Sequence, residues 1–159
     1  MSLDCLPLEE LLAQALSQKG LHISFAESCT AGLAAARLVN VSGVSDVFHA
    51  SFVTYANEAK IKLVGVSPDT LAKHGAVSEN TAREMAEGCA GAAGAEVGVG
   101  ISGIAGPSGG TPEKPVGTVC FGFYTPHGTV STTAHFDGDR QSVRAQAVDF
   151  AFGEILKLL

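Results

Sequence analysis

Ser45, Tyr55 and Lys60 bring a hydroxyl, a phenol and an amine into one short stretch of chain. A serine attacks an amide carbonyl only when a base removes its proton, and a phenol or amine does this where burial or a nearby cation lowers its pKa. His49 competes as the base if the stretch is helical, although Val47 onward reads as extended. Cys29 is a rival nucleophile if it lies at a helix N-terminus, where a thiolate is stabilised. Taken singly, the same residues also suit a turn serine, a core tyrosine and a surface lysine.

Other segments are suited to holding an anion. Glu27-Ser28-Cys29-Thr30 stands where an apolar run passes into a helical pattern, the edge at which open α/β sheets receive ligands. A capping role for Ser28 or Thr30 fits as well, but a buried Glu27 is harder to explain structurally. The loop Ser102-Gly103-Ile104-Ala105-Gly106-Pro107-Ser108-Gly109-Gly110 has glycines that allow backbone donors to approach a phosphate, without the Walker or Rossmann spacing. Lys114 stands near its far end, and Arg140 and Arg144, four apart, share one face at the start of the last helix. The five histidines show no metal-ligand spacing, which argues against a zinc hydrolase.

The elements that must position these groups follow from periodicity. A helix is expected from Pro7 to about Gln18, a buried strand over Leu21 to Ala26, a helix over Ala31 to Val39 and a strand over Val47 to Tyr55. Short helices at Asn57 to Leu63 and Pro68 to Lys73 precede a long alanine-rich helix capped near Ser78. A strand at Val97 to Ile101 enters the glycine-rich loop. Strands at Thr118 to Tyr124 and Thr129 to Phe136 flank a turn and pair antiparallel, and a helix from about Asp139 closes the chain. The alternation predicts an α/β fold, a three-layer α/β/α sandwich with a mixed, mostly parallel sheet, in a single domain over residues 1–159.

Composition narrows the partners. The net charge of −6 repels polyphosphate chains and no basic stripe offsets it, so nucleic acid is not an expected partner, whereas a small anion held by a few donors is. Cys5, Cys29, Cys89 and Cys120 are scattered and read as reduced thiols in a cytoplasmic protein. Neither a signal peptide nor a run of bilayer length is evident, so no membrane association is expected. A homodimer is expected for the fold.

Several motifs recur in a fixed order: Ala26-Glu27-Ser28-Cys29-Thr30, Phe52-Val53-Thr54-Tyr55 with Asn57-Glu58-Ala59-Lys60, Gly75-Ala76-Val77-Ser78-Glu79, Gly103-Ile104-Ala105-Gly106-Pro107, Lys114-Pro115-Val116-Gly117-Thr118 and Gly138-Asp139-Arg140. In order and spacing they resemble the C-terminal domain family of the competence/damage-inducible protein CinA, over roughly residues 5 to 158. The resemblance implies a three-layer fold and a hydrolase, free of metal and cofactor, that converts nicotinamide mononucleotide to nicotinic acid mononucleotide and ammonia. It implies Ser45 as nucleophile with Tyr55 and Arg140 completing the catalytic set. Glu27, Ser28, Thr30, Lys60, Ser102, Gly103, Gly106, Lys114 and Arg144 are then the expected substrate-binding residues. Ala31 and Ser51 stand where the family usually has glycine. A non-catalytic nucleotide-sensing module is the alternative.

Overall fold

Alternating apolar positions and glycine punctuation organise the chain into five strands and six helices among residues 6–159, which the computed structural model describes; Cys5 lies outside them. The strands are β1 (Ile23–Glu27), β2 (Phe52–Val53), β3 (Val97–Gly103), β4 (Thr118–Thr125) and β5 (Gly128–His135), in the sheet order β2-β1-β3-β4-β5. The helices are α1 (Leu8–Lys19), α2 (Leu33–Leu38), α3 (Asn57–Val64), α4 (Pro68–His74), α5 (Glu79–Ala93) and α6 (Arg140–Leu158). Helices α1, α2 and α6 cover one face and α5, with α3 and α4 against it, the other, giving the expected three layers.

The sheet is mixed, but evenly so. β1 runs parallel to β2 and β3, whereas β3–β4 and β4–β5 are antiparallel. The tight turn at Pro126 and His127 forces an antiparallel hairpin, because a parallel return needs a crossover of a dozen or more residues. The expected strand over Val47 to Tyr55 contracts to Phe52–Val53. A 3₁₀ turn occupies Val44–Asp46, Phe48 makes a single bridge to Ile23, and the Ser51 hydroxyl donates to the Phe25 carbonyl at 2.9 Å where a ladder would otherwise run.

Strand alternation sorts the two faces. Phe25, Val97, Val99, Ile101, Phe121 and Phe123 join Leu12, Leu16, Val148, Phe152 and Ile155 in the main core. On the opposite face stand Gly98, Gly100 and Gly122, where an added Cβ would lie 2.0–2.3 Å from the carbonyl oxygen of Ala86 or Ala82. These glycines therefore let α5 lie almost directly on the strands. That approach brings the Ala76–Val77 segment, just ahead of the Ser78 cap of α5, over the C-terminal ends of β1 and β3. The Ser102 hydroxyl fastens it by donating to the Ala76 carbonyl at 2.8 Å.

Candidate active site

Where β1 ends, successive side chains diverge. Phe25 and Glu27 face the α1/α2/α6 layer, so Ser28, one residue on, faces the α3/α5 layer. There it meets Lys60, which α3 carries inward until only 1% of its surface is exposed. Lys60 Nζ lies 3.0 Å from Ser28 Oγ, 2.7 Å from the Thr54 carbonyl oxygen and 3.4 Å from that of Tyr55. No ion pair among the described residues includes Lys60. Burial holds its ammonium below the usual lysine range, with the neighbouring Cys29 opposing the shift. Nζ donates to all three oxygens; a neutral amine would keep the two carbonyl bonds and turn its lone pair to the Ser28 hydroxyl.

Ser28 and Lys60 open onto a cleft of about 230 Å³ that is also lined by Cys29, Tyr55, Ala76, Val77, Ser102, Gly103, Ala105 and Arg140. Arg140, the first residue of α6, donates to the Tyr55 hydroxyl at 3.2 Å and to the Gly106 carbonyl at 2.9 Å. Gly106 thus steadies the guanidinium without lining the cleft itself. Its φ of +80° and the 2.4 Å approach of a built Cβ to Val116 make glycine the residue that fits there.

Glu27 and Arg144, both expected to bind substrate, are committed to protein contacts instead. Both carboxylate oxygens of Glu27 accept N–H groups at the start of α2, from Ala34 at 2.9 Å and Ala35 at 3.2 Å. An anion therefore already occupies that helix end, and it would repel a substrate phosphate. Arg144 donates to the carbonyls of Cys29 and Thr30, at 2.9 and 3.0 Å, clamping the turn that follows Ser28. Thr30 is fully buried and does not line the cleft. Lys114 stands apart as well: its Nζ donates to the His74 carbonyl at 3.1 Å, in a second cavity of about 380 Å³ that adjoins the cleft across Val77.

Ser45 does not converge with Tyr55. It sits exposed in the 3₁₀ turn, whose next residues reach the N-terminal end of β1, where Ile23 N–H donates to the Val47 carbonyl at 2.8 Å. Tyr55 follows Thr54, which pairs with Glu27 at the other end of the same strand. Four rises of roughly 3.3 Å separate the two ends by about 13 Å. His49 is likewise at the far end, its ring 4.7 Å from that of His22. Ser51 is spent on the Phe25 carbonyl and offers no second hydroxyl to the cleft.

Cys29 lines the cleft, but burial pushes its thiol up to about 11, so it is not a thiolate near neutrality. The helix that would stabilise a thiolate begins only at Leu33. The Ser28–Lys60 pair is the arrangement that reading the sequence missed, having placed both residues among the binding groups. Its signals were a serine directly after the strand Ile23–Glu27, every residue of which is buried, and a lysine inside a helix that had to pack on the sheet.

A family model for the CinA C-terminal domain matches residues 6–159. A CinA-like protein of Kosmotoga olearia is 51% identical over 152 residues, covering 96% of this chain, which spans 37% of that relative's length. A nicotinamide-nucleotide amidohydrolase PncC of Enterobacter agglomerans is 50% identical over 147 residues, covering 92% of this chain and 90% of its own. Crystal structures of CinA-superfamily proteins superpose closely. That from Escherichia coli has a TM-score of 0.91 at 38% identity, covering 96% of this chain and 91% of its own, and one from Agrobacterium tumefaciens has 0.90 at 39% identity, covering 99% of both chains. With the ordered motifs, the sheet order and the family match in agreement, this chain belongs to the CinA C-terminal domain family.

Proposed function

We propose that the protein is an amidohydrolase that cleaves the carboxamide of a nicotinamide nucleotide, with nicotinamide mononucleotide as substrate, Ser28 as nucleophile and Lys60 as its base. The observation that carries this reading is the buried Lys60 amine 3.0 Å from the Ser28 hydroxyl, with no carboxylate to hold its proton. The similarity to the Enterobacter agglomerans amidohydrolase over nine-tenths of both chains supports the reaction class.

In the acylation step neutral Lys60 takes the Ser28 proton as Oγ bonds to the carboxamide carbon and the carbonyl π pair moves to oxygen. The tetrahedral adduct collapses, the C–N bond breaks, and the nitrogen leaves as ammonia with the proton held by Lys60. Water then enters and Lys60 removes its proton as it attacks the acyl carbon. Ser28 recovers its proton on release of the acid, so amide and water become carboxylic acid and ammonia. Tyr55, braced by Arg140 at the mouth of the cleft, contacts the substrate beside the reacting group.

The cleft has room for the pyridine carboxamide, and the ribose phosphate extends past Val77 toward Lys114, whose cavity also presents Asn80 and Thr118. The α2 start, already filled by Glu27, is unsuited to the phosphate. No step requires a metal or cofactor. The test is incubation of purified protein with nicotinamide mononucleotide: release of equimolar ammonia and nicotinic acid mononucleotide is expected, whereas binding without turnover contradicts the enzymatic reading.

A further inference from the structure

The ladder between β1 and β3 ends one rung short. In a strand, the N–H and C=O of one residue point to the same neighbour and alternate along the chain. In β3 the odd-numbered residues face β1: Val97 N–H donates to the His22 carbonyl at 3.0 Å, and the Ile101 carbonyl accepts the Ser28 N–H at 2.9 Å. Gly103 continues that series, so its N–H points toward the β1 side, where a regular ladder would offer the Ser28 carbonyl. The chain turns away after Ser28, and that carbonyl accepts the Ala31 N–H at 3.1 Å instead. The Gly103 N–H is thereby left without an acceptor among the described residues, at a residue that lines the cleft with Ser28. The other edge of β3 is undisturbed, with Ile104 N–H donating to the Thr118 carbonyl at 2.8 Å.

We propose that the Gly103 backbone N–H is the oxyanion donor of the Ser28 centre, an assignment that rests on the hydrolase reading above. As Ser28 Oγ bonds to the carboxamide carbon, the displaced π pair settles on an oxygen that this N–H receives. When the C–N bond breaks, the pair returns to C=O. A donor held on a strand is already in position before charge develops, which is the condition for electrostatic stabilisation of a transition state. Glycine is demanded at this point for a separate reason: a Cβ would come within 2.7 Å of Val119 Cγ2 and 2.8 Å of the Thr118 carbonyl. A side-chain substitution therefore cannot probe the donor cleanly.

An amide-to-ester exchange can. Joining three segments at Cys89 and Cys120 allows glycolate to replace Gly103, so that an ester oxygen stands where the N–H was. The same ligation with glycine provides the reference. The ester chain should hydrolyse nicotinamide mononucleotide with kcat lower by about 10²–10³-fold, KM within about threefold and a melting temperature lowered only slightly, because no intrachain bond is lost and only the Ser102 carbonyl, facing β4, becomes a weaker acceptor. Equal kcat values overturn the assignment. A large fall in melting temperature also overturns it, since the N–H would then belong to the ladder. If the glycine reference chain releases no ammonia, the hydrolase reading itself fails and takes the donor assignment with it.

Discussion

In the proposed mechanism Lys60 sets the pH dependence of the site. Its burial favours the neutral amine, and only that form can accept the Ser28 proton, so kcat/KM should climb with pH through the depressed Lys60 pKa and then level off. Lys60→Met should lose that limb along with about 10²–10⁴-fold in rate. Stability follows the same proton. The unfolded lysine, titrating near 10.5, binds more protons than the folded one between the two pKa values, so unfolding free energy rises with pH across that window and falls as pH drops through the folded pKa. Urea titrations of wild type and Lys60→Met at several pH values check the sign, and a steeper slope in the variant would contradict it. At this scale the sequence singled out a hydroxyl, a phenol, an amine and a guanidinium, and the structure groups them differently. Tyr55 and Arg140 meet as expected, but the hydroxyl beside Lys60 is Ser28. Periodicity does not say which of two serines follows the buried strand closely enough to share its layer with α3.

The element that matters most is the turn from β1 into α2. It passes through Ala31 at φ +46° and Gly32 at φ +94°, and Ala31 is the one non-glycine residue with positive φ among those described. The left-handed conformation costs an L-residue roughly 1–2 kcal/mol, of which glycine would forfeit about 0.4–1 kcal/mol through its freer unfolded chain. Ala31→Gly should therefore raise stability by about 0.5–1 kcal/mol, read as a higher urea midpoint at constant slope; a lower midpoint would contradict the account. The alanine noticed in the motif thus bears on strain in the turn that Arg144 clamps through Cys29 and Thr30. Helix positions were readable from caps and apolar spacing, as with Ser78 opening α5, although that helix runs past the expected end near Gly91 to Ala93, with Gly94 as its cap. The second strand was not. His49, Ala50 and Ser51 look compatible with an extended run, yet the ladder there is replaced by one bridge and one serine hydroxyl bond, and such side-chain competition for backbone acceptors leaves no periodic trace.

Over the whole molecule, the layers decide which end of the sheet can act. The C-terminal ends of β1 and β3 gather Ser28, Gly103, the α3 lysine and the start of α6, while the N-terminal end of β1 holds Ser45, His49 and the His22–Glu96 contact. Reading the sequence reached the three layers and the mixed sheet because strand and helix patterns alternate. It could not weigh two ends of one strand against each other, because that depends on the direction in which distant segments return. The CinA-like relative extends well beyond this chain, which spans 37% of its length, so the activity proposed here is that of the unit described. The most direct test compares ammonia release from nicotinamide mononucleotide by Ser28→Ala, Ser45→Ala and Cys29→Ala variants of confirmed fold. The Ser28 variant should lose at least about a thousandfold in kcat while the other two remain within a few-fold of wild type. A Ser28→Ala protein that retains turnover, or a Ser45→Ala protein that loses it, would contradict the account.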